Sequence, residues 1–109
     1  MDTRARTSAP AEPEYVLTLY VFGSASPKSA RAMVNIRALC ESLVRGRYRL
    51  TVVDIARDAA AAARAQIVAT PTLVRESPSP LRRLVGDLSL RDLVIEKLGL
   101  PRPREASAA

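Results

Sequence analysis

Histidine and tryptophan are absent from this 109-residue chain, and cysteine occurs once, as Cys40. Each absence narrows the chemistry. Without histidine, the chain lacks the side chain most used for acid–base work near neutral pH and for holding metals. A lone cysteine cannot close an intrachain disulfide, which fits a reducing cytoplasm. Ser24, Ser26 and Ser29 have no imidazole to activate them, so nucleophilic catalysis is not expected. Aromatics make up only 4% of the residues against 48% hydrophobic in all, so the core should be aliphatic. No apolar run approaches the length of a membrane span. Met1–Glu14 is polar, carries Pro10 and Pro13, and lacks the apolar centre of a secretory signal. No catalytic residue, cofactor or metal is therefore expected.

What the chain does have is basic charge. Its 17 basic and 11 acidic residues leave a formal +6. One reading is an acidic partner, either nucleic acid or a protein face. The other is simple solubility. No stretch interleaves aromatics with basic residues as single-strand binders do, which disfavours nucleic acid. The length suits one domain. Residues 1–14 and 101–109 are rich in Ala, Pro, Ser and charge, and are expected to be disordered tails around a domain at 15–100.

Within that domain, Tyr15–Phe22 is apolar at nearly every position, which predicts a central strand covered on both faces. Ser26 is placed to cap a helix with Pro27 at its first position. The helix should run from Pro27 to about Val44, because Met33, Ile36, Cys40 and Leu43 recur at three- and four-residue spacing with Ala32 and Leu39 beside them. Gly46 supplies a left-handed residue after it. Tyr48–Ile55 reads as a second strand, with Leu50, Val52 and Val53 inside, completing a right-handed parallel βαβ unit. Asp58 opens a short helix from Ala59 to about Gln66, whose alanines favour helix but bury little.

The stretch Ala69–Thr70–Pro71–Thr72–Leu73 organises the C-terminal half of the domain. Thr70 precedes proline and must be extended. Pro71 reads either as the rigid start of a strand or as a conformational latch, and its peptide bond can be cis at small cost. Thr72–Glu76 and Leu81–Val85 form a hairpin around Ser77–Pro78–Ser79–Pro80. Arg82 and Arg83 fall on opposite faces of its second strand. They serve either as charged protection of a sheet edge or as a docking surface. Ser89–Leu98 reads as a helix. Ser89 and Asp92 sit at cap spacing, and Leu90, Leu93, Val94 and Leu98 share a stripe. Gly99 can end it, and Pro101 prevents its resumption. The order is βαβαββα: three helices on a four-stranded mixed sheet, the thioredoxin-like arrangement. A thioredoxin redox enzyme needs Cys-x-x-Cys where the first strand feeds the first helix. Gly23–Ser24–Ala25–Ser26 stands there instead, and Cys40 reads as a small buried hydrophobe.

Several motifs together carry a family resemblance. They are Tyr15-Val-Leu-x-Leu-Tyr-Val-x-Gly23, Pro27-x-Ser29-x-Arg31-Ala32, and Gly46-x-Tyr48-x-Leu50-x-Val52-x-Asp54. Ile67-x-Ala69-Thr70-Pro71-Thr72-Leu73 and Arg82-Arg83-x-x-Gly86-Asp87-Leu88-Ser89-x-Arg91 complete the set. The chain resembles the KaiB circadian clock protein family over nearly all of Tyr15–Leu100.

The resemblance implies a non-catalytic protein that binds the first ATPase ring of the KaiC hexamer and regulates its phosphorylation and output. It further implies recruitment of KaiA and competition with the KaiB-like sensor domain of a clock histidine kinase. It also implies two folds: a thioredoxin-like, KaiC-binding monomer, and a resting βαββααβ form that is tetrameric, with a dimer as a further state. Arg49, Thr51 and Gln66 match positions on the family's KaiC contact surface, and Arg31 and Arg75 match basic positions near it. Pro71, Lys97 and Gly99 fall where the folds diverge. Cyanobacterial members end in Ile-Gly-Leu-Asp-Leu where this chain has Glu96, Lys97, Leu98, Gly99 and Leu100. Replacing that glycine by Lys97 favours helix by about 1 kcal/mol, so the thioredoxin-like form should dominate. Pro101–Arg102–Pro103–Arg104 replaces an acidic tail. These departures leave two alternatives to a clock role: a stress-response or signalling adaptor without an oscillator, and, against the missing Cys-x-x-Cys, a thioredoxin-like redox protein.

Overall fold

A strand that is apolar on both faces needs a layer on each side and a neighbour at each edge. Tyr15–Val21, β1, has all four in the computed structural model, which describes residues 12–23 and 26–102. It is followed by α1 (Pro27–Leu43), β2 (Tyr48–Asp54), α2 (Ala59–Ala65), β3 (Thr72–Ser77), β4 (Arg82–Val85) and α3 (Arg91–Leu98). The sheet order is β2-β1-β3-β4. β1 runs parallel to β2, with Tyr15 opposite Tyr48 and Val21 opposite Asp54. It runs antiparallel to β3, with Leu19 opposite Leu73. β3 and β4 form the antiparallel hairpin. The thioredoxin-like βαβαββα architecture is thus the one the sequence predicts.

The local signals account for most boundaries. The Ser26 hydroxyl accepts from the Ser29 amide at 3.3 Å, and Pro27 begins α1. The Asp58 carboxylate accepts from the Ala61 amide at 3.1 Å and starts α2. Gly99, at φ 67°, ends α3 in the left-handed conformation that glycine adopts without penalty. Pro71 is buried and follows a cis bond, its carbonyl accepting from the Gly86 amide at 2.9 Å. Leu17, Leu19, Ile36, Leu73, Val94, Ile95 and Leu98 form the centre of an aliphatic core between the sheet and α1 with α3. A smaller cluster of Tyr20, Ala61 and Val74 lies under α2.

The start of α3 differs from expectation. Ser89 does not cap it. The helix begins at Arg91, Leu90 occupies the cap position, and no side chain accepts a hydrogen bond there. The reason lies in Asp87. Its carboxylate accepts the Ser89 amide at 3.1 Å, and its carbonyl accepts the Asn35 side-chain amide at 2.8 Å. Leu88 then turns through a left-handed φ of 64°. This anchored turn uses up Ser89 and starts the helix two residues late. The buried face is consequently Val94, Ile95 and Leu98, while Leu90 points outward at 66% exposure. In the hairpin, β4 starts at Arg82, so Leu81 belongs to the loop. Most of the two tails expected at 1–14 and 101–109 lies outside the described residues.

These positions separate in a stability measurement. Leu19 is wholly enclosed at 0% exposure. Leu19→Ala should cost about 2–5 kcal/mol in chemical denaturation, through lost burial and the cavity left behind. Leu90→Ala should stay within about 0.5 kcal/mol of the parent. A large loss at Leu90 would show that α3 packs through the stripe read from the sequence.

Candidate protein-docking surface

Side chains alternate along a strand, so the sheet has two faces with different covers. One carries α1 and α3 and the main core. The other carries only α2, a seven-residue helix with five consecutive alanines. Ala61 is the one buried residue of α2. Short side chains give the helix propensity but cover little area. Much of this second face therefore stays open, with Arg49 and Thr51 exposed on β2 and Glu76 and Arg83 exposed on the hairpin.

A groove of about 320 Å³ lies beside α2. Tyr20, Ala61 and Val74 form its apolar floor, and Arg64, Glu76 and Arg83 stand on its rim. Glu76 is fixed from below by the Thr18 hydroxyl, which donates to Oε2 at 3.2 Å. Arg83 donates to the Gln66 carbonyl at 3.0 Å and to the Ala65 carbonyl at 2.5 Å. These are carbonyls at the carboxyl end of α2, where a cation is favoured by the helix dipole. Burial, followed by the nearby Glu76, pushes the Tyr20 phenol up, so it stays neutral at physiological pH. The face can thus offer apolar floor, hydroxyl, cation and carboxylate to a protein surface.

The structure separates the five partner residues expected from the sequence. Arg49 and Thr51 are exposed on β2, an edge strand. Gln66 is exposed at the end of α2, tied to the opposite edge strand through Arg83. These three lie on the α2 side. Arg31 belongs to α1 on the other side, 3.4 Å from the Asp87 carboxylate. Arg75 is 4% exposed and faces the core between β3 and α3, so in this fold it offers no surface to a partner. Sequence reasoning missed Arg64, Tyr20 and Glu76. Strand alternation placed the last two on one face, but only the position of α2 shows which face is open.

Among the residues set aside for the fold, Lys97 is exposed and its carbonyl accepts from Arg82 at 3.3 Å. At the other end of the sheet, the Asp54 carboxylate accepts the Gly23 and Ala56 amides at 2.9 and 3.0 Å. Those bonds hold its carboxyl below the ordinary 3.8. A depressed folded-state value stabilises the protein above the ordinary value and loses that contribution as pH falls through the folded one. Asp54→Asn should therefore destabilise at pH 7 and make little difference near pH 2, as read by denaturation at the two pH values. An equal loss at both would mean that the geometry, not the charge, matters.

Cys40 is fully buried against the core, and burial pushes its thiol up to about 12. The thiolate is the reactive form, so at neutral pH it is scarcely populated. Cys40 should resist an aromatic disulfide reagent until the chain is unfolded in denaturant. Fast labelling of the native protein would reopen a thiol role.

The profile of the KaiB domain matches residues 18–100. A circadian clock oscillator protein KaiB from Thermostichus vulcanus is 41% identical over 92 residues, covering 84% of each chain. Among solved structures, the N-terminal domain of Synechococcus elongatus SasA aligns with a TM-score of 0.56 at 27% identity, over 83% of this chain and 84% of that one. Mitochondrial thioredoxin 3 from Saccharomyces cerevisiae aligns with a TM-score of 0.64 at 13% identity, over 81% and 80%, a likeness of fold alone.

Proposed function

The chain belongs to the KaiB family, and from that premise we propose that it is a non-catalytic protein-binding component of a KaiC-type clock or timer. In this reading it docks on the ATPase ring of a KaiC-type hexamer in the cytoplasm and regulates its phosphorylation and output. A KaiA-like protein or a clock histidine kinase competes for or joins the same assembly. The observation that supports the reading most is the helical α3, which belongs to the form that the family resemblance associates with KaiC binding. The open α2 face, with Arg49, Thr51 and Gln66 at its edges, gives that form a broad polar surface.

A second reading is an adaptor in a stress or signalling pathway without an oscillator. It is favoured by Thr51 and Gln66, which put uncharged side chains at positions that the resemblance places on the KaiC contact surface. Both readings share the α2 face and differ in the partner.

The test is light scattering coupled to gel filtration, with the chain mixed with a KaiC-type ATPase and with ATP or ADP present. A nucleotide-dependent shift to the mass of a loaded ring is expected. Arg49→Glu and Arg64→Glu should each weaken the complex by about tenfold while leaving the free protein folded. Unshifted ring mass under every nucleotide condition removes the KaiC reading.

A further inference from the structure

β4 is an outer strand of the sheet, and no described residue pairs with its free side. In an antiparallel ladder, facing residues alternate between exchanging both hydrogen bonds and exchanging none. Thr72 faces Val85, Leu73 faces Leu84 and Arg75 faces Arg82. The Gly86 amide donates to the Pro71 carbonyl at 2.9 Å, so the bonded pairs continue at Leu84 and Arg82. The N–H and C=O of Arg83 and Val85 therefore point to the open edge.

Such an edge is normally defended by charges standing over it, by proline or by a bulge. None of these applies to β4. Its register with β3 is unbroken, and no proline lies within Arg82–Val85. Arg82 is drawn back to the Lys97 carbonyl, and Arg83 to the Ala65 and Gln66 carbonyls. Val85 is apolar and 58% exposed. The edge leads into the cavity of about 250 Å³ at the turn between β4 and α3. Leu88, Leu90, Leu93 and Val94 line it, with Lys28 in the wall. Asp87, the one acid there, is already engaged by Arg31 at 3.4 Å and by the Ser89 amide. Lys28 has no described carboxylate in ion-pair range. It belongs to the first turn of α1, which holds no acid and where the helix dipole also favours an anion.

We propose that the outer edge of β4 and this cavity together bind an extended acidic segment of a partner protein. The segment adds a strand through the free groups of Arg83 and Val85, and it lowers an apolar side chain into the cavity with a carboxylate toward Lys28. Charge selects this occupant. A second copy pairing here would bring Arg82 and Arg83 of both chains into one short ladder, and facing like charges are destabilising. An acidic strand meets Arg82, Arg83 and Lys28 instead. The exposed charges of α3, Arg91 with Lys97 against Asp92 with Glu96, balance one another and leave that bias in place. The site lies at the opposite edge of the sheet from Arg49 and Thr51, and it does not rest on the KaiC-type reading.

The test titrates the full chain with a short synthetic peptide that alternates glutamate with valine and ends in leucine. Amide exchange is followed by NMR. In the free protein the Leu84 and Gly86 amides should be protected, and those of Arg83 and Val85 should not. The peptide should slow Arg83 and Val85 by about tenfold or more and leave β2 unchanged. Val85→Pro removes an outward N–H but no ladder bond, so it should fold and lose about tenfold in peptide affinity. Lys28→Glu should weaken the peptide by about threefold or more, and Arg49→Glu should leave it unaffected. The proposal is overturned if Arg83 and Val85 exchange as fast with saturating peptide as without it, or if folded Val85→Pro binds like the parent. Equal binding of a peptide with lysine in place of glutamate overturns it too, as does self-association of the free chain through β4 in sedimentation. Should Val85→Pro not fold, a backbone N-methylated peptide decides, and undiminished binding of it refutes strand addition.

Discussion

Helix carboxyl ends leave carbonyls that need donors, and a single hairpin supplies donors to two of the three helices here. Arg75 and Arg82 point to one face and reach the last carbonyls of α3. Arg83, next along β4, points to the other face and reaches the last carbonyls of α2. Strand alternation makes this division automatic. One short ribbon thus fixes where the helical layer ends on both sides of the sheet. Cap, dipole and charge act together at the same two helix ends, so the arrangement does not depend on surface ion pairs, which contribute little.

This division shapes what each face can do. On the α1 and α3 side, branched aliphatics are interlocked beneath the helices, and a cavity of about 250 Å³ opens where the turn after β4 meets α3. On the α2 side, alanine covers the floor so thinly that Tyr20 and Val74 end in a groove rather than in a sealed core. Glu76 and Arg83 beside it are held by Thr18 and by main chain, not left free to swing. A surface whose charges are already ordered loses less entropy when a partner arrives. The face that packs worst thus also carries ordered polar groups at its rim.

Much of the fold was legible because local signals agreed. Ser26 before Pro27, Asp58 before an alanine run, and Gly99 before Pro101 each mark a helix end by a mechanism that works within a few residues. The βαβ unit followed from the near-continuous apolar character of β1. What escaped were effects of distance. Ser89 looked like a cap because nothing in its neighbourhood shows that Asp87 will take its amide while Asn35, 52 residues away, holds the Asp87 carbonyl. Arg75 looked like a surface cation because arginine usually is one. Its burial depends on a carbonyl 23 residues later. The alanines of α2 did show that the helix would cover little, but which face of the sheet stays open emerged only when the helix was placed.

The strand order also sets a schedule for synthesis. β1 takes β2 along one edge, but its other edge belongs to β3, which emerges only after the α2 segment. At roughly 5–20 residues per second, the stretch from the end of β2 to the start of β3 takes about one to four seconds to make. Throughout that interval the nascent βαβ half carries a bare apolar ribbon edge on the ribosome, the kind of edge that pairs with strangers. The strand that ends innermost in the finished sheet is thus, for a moment during synthesis, the most available part of the chain.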